Sequence, residues 1–137
     1  MKRNAITVSP MALALMASTT TGIKVRISAG GRVMPATLSN NPTSLDFASM
    51  LPLTLTLSDY AGTEKIAYLS RRLSTTGAPA GSKPIAGTIA YYAPWGNLAM
   101  FHQDFAYSPG LISLGCVDGD LSVLRCNGAL TVRIEHG

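Results

Sequence analysis

Charge is what this chain has least of. Asp, Glu, Lys and Arg together make up 13% of its 137 residues, about half the share of an ordinary soluble domain. Beside 47% hydrophobic residues, that scarcity excludes a disordered acidic or basic tail as the body of the protein. Eleven basic residues against seven acidic ones give a formal charge of +4, but Lys2 and Arg3 supply two of those positives at the extreme N-terminus. The other basic residues are scattered, with Arg71-Arg72 the one adjacent pair among them. No basic stripe interleaved with aromatics is written here, so nucleic acid is not an expected partner.

Cysteine and histidine are scarce too. Cys116 and Cys126 stand ten positions apart with no C-x-x-C, which removes a thioredoxin-like redox motif and a zinc knuckle from consideration. They read either as two buried thiols or as a disulfide in an oxidising compartment. The histidines are His102 and His136, too few and too dispersed for a metal centre that needs three convergent ligands. G-x-S-x-G, H-E-x-x-H, the P-loop and G-x-G-x-x-G are all absent. A Ser-His-Asp triad would have to use His102, with Asp104 two residues on and on the same side of an extended chain. No cofactor and no metal are expected.

Long apolar runs are also missing. The uncharged stretch Asn4–Ile23 is interrupted by Thr7, Ser9 and Pro10, too short and too broken to cross a bilayer as a helix, so no stable membrane insertion is expected. The order along it is basic (Lys2-Arg3), apolar (Met11–Ala17), then small and polar (Ser18–Gly22), which is the order of a secretory signal. Residues 1–22 are therefore read as an N-terminal extension or a signal peptide, and 23–137 as the folded domain. Export, to a periplasm for example, follows if residues 2–18 are a signal; otherwise the protein stays in the cytoplasm.

What is present is period-two patterning. Ile23, Val25 and Ile27 alternate with polar neighbours, Gly30-Gly31 turns the chain, and Met34, Ala36 and Leu38 alternate on the return, predicting a hairpin. Asn41-Pro42 opens a short helix, with Phe47, Met50 and Leu51 on one face and Pro52 at its end. Leu53–Leu57, Lys65–Leu69, Ile89–Tyr92, Leu98–Phe101, Leu111–Val117 and Leu130–Ile134 read as further strands, and Asp118–Leu124 as a helical turn or two capped by Asp118. Residues 74–87, rich in Gly, Pro and Ser, form a long surface loop. Glu64 and Lys65 are expected as an exposed ion pair. About eight short antiparallel strands and one or two short helices in one domain predict a mainly β fold, a closed barrel without exposed edges.

Several segments resemble a known family. Asp59–Leu69, Arg71–Leu73, Leu114–Gly119 and especially Gly87–Phe101, with its Tyr-Tyr-Ala-Pro-Trp-Gly-Asn run, are similar to a bacterial branch of cyclophilin-like proteins. The resemblance covers about Ile23 to Glu135. It implies an eight-stranded barrel closed by two helices and no established activity, this branch being largely uncharacterised. True cyclophilins are prolyl isomerases, and their Phe-His-Arg and Gln-Gly-Gly-Asp-Phe stretches have no counterpart here. His102-Gln-Asp-Phe105 looks similar but follows the wrong strand. Ser70 stands where the closer family usually has Pro, and Thr88 where it usually has Asp.

The candidate site residues are few. Arg71 and Arg72 end a strand before the long loop and are read either as solvated charges or as an anchor for a carbonyl, carboxylate or phosphate. Tyr91 and Tyr92 face opposite sides of the sheet, so one is core and the other is available. Trp95 sits on a turn beside Asn97. A shallow groove lined by Tyr92, Trp95, Asn97 and Phe101, with Arg71 and Arg72 as polar anchors, would bind a small molecule or an extended peptide. The alternative is a peptidyl-prolyl isomerase in which Arg71 is the catalytic residue, lowering a rotation barrier of about 18–20 kcal/mol by favouring the twisted amide.

Overall fold

Gly30 and Gly31 adopt positive φ, +54° and +84°, as a two-residue turn matched to strand twist requires. They join β1 (Ile23–Ala29) to β2 (Arg32–Leu38) in an antiparallel hairpin running from Ile23↔Leu38 to Ala29↔Arg32. The computed structural model describes residues 22–137; the signal-peptide reading of residues 2–18 lies outside them. The remaining strands are β3 (Leu53–Tyr60), β4 (Glu64–Tyr68), β5 (Gly81–Ser82), β6 (Thr88–Tyr92), β7 (Asn97–Phe101), β8 (Ser108–Pro109), β9 (Leu111–Val117) and β10 (Leu130–His136). Eight of them close into one antiparallel barrel in the order β1-β10-β3-β4-β7-β6-β9-β2. The two-residue strands β5 and β8 pair separately.

Alternation sorts the side chains. Val25, Ile27, Met34, Leu38, Leu57, Ile89, Tyr91, Leu98, Met100, Leu114, Val132 and Ile134 fill the barrel with almost no exposure. Helix α1 (Pro42–Ala48) packs on the barrel through Phe47 and Ala48. Its start follows the expected chemistry: Asn41 accepts the Ser44 amide at 2.8 Å and Pro42 opens the first turn. It ends sooner than expected, because Met50 N–H reaches Phe47 O at 3.0 Å and Leu51 N–H reaches Ala48 O at 3.2 Å. These tighter bonds close the last turn, and Met50 and Leu51 pack on the core from outside the helix.

Three further expectations are corrected. Residues 122–125 form a single 3₁₀ turn that buries Leu124. Asp120, not Asp118, accepts the Ser122 amide at 3.0 Å, since Asp118 is taken by the Thr37 hydroxyl at 2.6 Å. Lys65 is no surface partner of Glu64: its side chain is 0% exposed and its ammonium donates to Asp59 Oδ1 at 2.5 Å and to Gly128 O at 2.7 Å. The cysteines are neither buried nor bridged; Cys116 and Cys126 are free and exposed.

The expected long loop does structural work. Its β5 pairs with β8, Gly81 against Pro109 and Ser82 against Ser108. Phe105 N–H donates to Pro84 O, Gly110 N–H to Ala80 O and Ala86 N–H to the Asp104 carboxylate. These bonds tie segments 80–86 and 104–110 together.

Candidate functional site

The outer face of β4, β7, β6 and β9 carries a second, smaller apolar cluster. On β4, Lys65 and Ala67 belong to the barrel interior, leaving Glu64 and Ile66 to the outside. By the same alternation β7 turns Asn97, Ala99 and Phe101 outward and β6 turns Ala90 and Tyr92 outward. Ala90, Ala99, Phe101 and Leu111 are buried together there, with Ile66 and Tyr92 packed against them. Ala90 and Ala99 stand opposite each other in register. Two methyl groups at that point keep the floor low.

Above this floor lies a cleft of about 270 Å³. Tyr60, Tyr92, Trp95, Phe101, Phe105 and Tyr107 line it, six of the nine aromatic residues of the chain. Ile66, Pro109 and Leu111 add apolar surface, and Glu64, Asn97 and Ser108 are its polar members. Trp95, the only tryptophan, is 44% exposed. It stands between two tyrosines in edge contacts, its ring centroid 5.6 Å from that of Tyr60 and 5.3 Å from that of Tyr92. The turn that carries it is held by Gly96 N–H to Tyr92 O at 2.9 Å and by Arg72, which donates to Ala93 O at 2.6 Å.

Two polar groups in the cleft lack full partners. Asn97 is 1% exposed; its amide nitrogen donates to Leu98 O at 3.1 Å, while its carbonyl oxygen is buried without a hydrogen bond. Glu64 receives the Thr63 hydroxyl at 3.2 Å and has no cationic partner among the described residues. Burial raises its pKa above the ordinary glutamate value, outweighing that hydrogen bond. A raised carboxyl makes the folded chain hold its proton more tightly than the unfolded chain does. Stability is then full below the unfolded pKa and falls as pH rises through the raised one. Glu64→Gln is accordingly expected to melt about 1–2 °C above wild type at pH 7, a small gain because the carboxyl is partly wet. Below about pH 4 the two should coincide. Calorimetry across pH checks this; an equal or lower melting point at pH 7 would contradict it.

Of the six residues read from sequence, Tyr92, Trp95, Asn97 and Phe101 meet in this cleft. Arg71 and Arg72 are not among its lining residues. Arg71 grips Asp46 with both terminal nitrogens, at 2.9 and 3.0 Å, and Asp46 also takes the Ser74 amide at 2.7 Å. These hydrogen bonds, Arg71's foremost, hold the Asp46 carboxyl below the usual range and tie α1 to the segment after β4. Arg72 braces the Trp95 turn from outside. Tyr91 is the core tyrosine, its hydroxyl accepting Leu73 N–H at 3.1 Å. His102 is buried with Nδ1 unpartnered; its pKa is lowered by burial first and then by Arg125 and Lys65. Asp104 serves Ala86 instead, so the two form no acid–base pair. No group of three or more His, Cys, Asp or Glu converges among the described residues.

Tyr60, Glu64, Phe105 and Tyr107 went unread as site residues. Glu64 was masked by its basic neighbour, and the two loop aromatics carry no local signal beyond being aromatic in an otherwise polar loop.

The fold has a solved counterpart. The solution structure of a hypothetical protein from Archaeoglobus fulgidus superposes with a TM-score of 0.60 at 12% identity, over 86% of this chain and 97% of that one, a likeness of fold alone. No curated protein matches the sequence. The sequence model of the Cyclophilin-like family matches residues 27–135, from within β1 to within β10 of the closed barrel. The chain belongs to the cyclophilin-like family.

Proposed function

We infer that the protein is a binding module whose outer-face cleft takes a small molecule or a short extended peptide. The convergence of six aromatic side chains on one cleft carries this reading. Exposed aromatics gathered around a buried apolar floor are the usual make-up of a ligand site, with a few polar groups to orient the guest. A cleft of about 270 Å³ lies just under the range of about 300–1,000 Å³ typical of drug-sized ligands, so it suits a compact ligand or one or two side chains of a peptide. The isomerase alternative has less support. It needs an arginine beside the bound amide, and Arg71 is committed to Asp46 while Arg72 is committed to Ala93.

A fragment screen read by Trp95 fluorescence and thermal shift tests the reading. Fragments that quench Trp95 should also raise the melting temperature. Trp95→Ala should weaken them at least about tenfold while changing stability by less than about 1.5 kcal/mol, as fits a half-exposed side chain. Hits that bind Trp95→Ala unchanged would place the site elsewhere. A loss of about 3 kcal/mol or more would mark Trp95 as core. In a protease-coupled X-Pro assay no activity is expected; activity lost in Arg71→Ala with the fold intact would reinstate the isomerase.

A further inference from the structure

The electrostatics of the cleft are one-sided. The chain carries more basic than acidic residues, 11 against 7, yet the only formal charge among the lining residues is the Glu64 carboxylate. Arg71 is paired with Asp46, while Arg72, hydrogen-bonded to Ala93 O, keeps its charge but is not part of the cleft lining. The polar atom of the lining that is buried without a hydrogen bond is the Asn97 carbonyl oxygen, again negative in character. The remaining walls are mainly aromatic, and the faces of aromatic rings are negative too, through their quadrupoles.

A neutral apolar guest would bury this carboxylate further with nothing to offset it, which is costly. An anion would be repelled. A small, strongly hydrated metal cation needs a shell of oxygen ligands to replace its water, and one carboxylate and one amide do not provide it. A cation with apolar substituents on nitrogen meets every requirement: it is weakly hydrated, it attracts ring faces and it neutralises Glu64.

We propose that the cleft selects an organic ammonium ion, a nitrogen cation carrying methyl or other small alkyl groups, caged by Tyr60, Tyr92, Trp95 and Phe105 and neutralised by Glu64. This rests on the reading of the cleft as a ligand site and names the ligand's class. The trimethylammonium head of a free small molecule and that of a methylated lysine side chain share this chemistry. Glu64 is the discriminating residue. A bound cation favours its ionised form and so works against the burial that raises its pKa.

The test compares choline with its neutral carbon isostere, 3,3-dimethylbutan-1-ol, by titration against Trp95 fluorescence. Choline is expected to bind below about 1 mM and at least about tenfold more tightly than the isostere. Glu64→Gln should weaken choline and tighten the isostere, bringing the two to similar affinity. Choline affinity should rise with pH through the Glu64 titration, while that of the isostere falls as the carboxylate it must bury becomes charged. A peptide with one trimethyllysine, set against its unmethylated twin, separates the sources: tighter binding than choline points to a protein partner, weaker binding to a free small molecule. If the isostere binds as well as choline, or Glu64→Gln leaves choline unaffected, the cation inference falls and the ligand-site reading stands. If fragments, choline and isostere all fail to perturb Trp95, both fall together.

Discussion

Gly115→Ala is expected to lower the melting temperature by more than about 10 °C or to abolish soluble expression. A Cβ at this position would lie 2.1 Å from Thr37 O and 2.7 Å from Leu38 Cα. Both are backbone atoms of β2, so no side-chain rotation relieves the clash. The seam they belong to is short: β2 and β9 meet through Ala36↔Val117, Thr37↔Cys116 and Leu38↔Gly115. On its other side Gly115 pairs with Ile89, while Ser113 pairs with Ala90, so Leu114 is the extra residue of a bulge. The bulge presses β9 towards β2 where only hydrogen fits. Overpacking of a core commonly costs about 1–3 kcal/mol, and here the obstacle is fixed main chain that closes the barrel. Ser113→Ala, on the same strand and exposed, is the control and should be nearly neutral. A melt by circular dichroism decides it; a Gly115→Ala midpoint within about 3 °C of wild type would mean that the seam yields.

The second large effect is an asymmetry between the partners Asp59 and Lys65. They stand opposite each other in register on β3 and β4. The Lys65 side chain is wholly enclosed, whereas that of Asp59 is 45% exposed. Asp59 also accepts the Gly128 amide at 2.7 Å, so the pair pins the loop that leads into β10. Asp59→Ala leaves an ammonium inside the barrel without its carboxylate, the costly way to break such a pair. Lys65→Met removes the buried charge, keeps most of the volume and leaves Asp59 facing water. Asp59→Ala should therefore drop the melting temperature by about 10 °C or more, and Lys65→Met by less than half as much. In the double variant Lys65→Met should recover much of what Asp59→Ala loses, a coupling read by the double-mutant cycle. Equal effects of the two single changes would show that the ammonium reaches water.

Lys65 also shows where the pattern of the chain misleads. Period two puts Lys65 on the same face as Ala67, which is the barrel interior. Its charge argued for the surface, and the conflict is resolved only by Asp59 across the hairpin and by Gly128, 63 residues away. The same holds for Arg71. A basic pair at a strand end looks free until α1 brings Asp46, 25 residues earlier, within hydrogen-bond reach. The isomerase alternative leaned on that arginine, and its carboxylate partner left no trace near Arg71 in the chain.

Features that depend on neighbours along the chain were legible. Alternation marked the strands, Gly30-Gly31 their first turn and Asn41-Pro42 the start of α1, because backbone geometry and capping involve residues two to four apart. Alternation likewise separated Tyr91 from Tyr92, and the Pro94-Trp95-Gly96 turn kept Trp95 beside Tyr92. The cleft as a whole was not legible. Tyr60 comes from β3 and Glu64 from β4, and Phe105 and Tyr107 come from a loop tied down by strand pairs joining residues 81 and 82 to 109 and 108. No local period links those positions. Closure of the barrel sets which strands are neighbours and in what register, and that register chose which aromatics meet, which carboxylate lies unneutralised among them and which lysine is sealed inside.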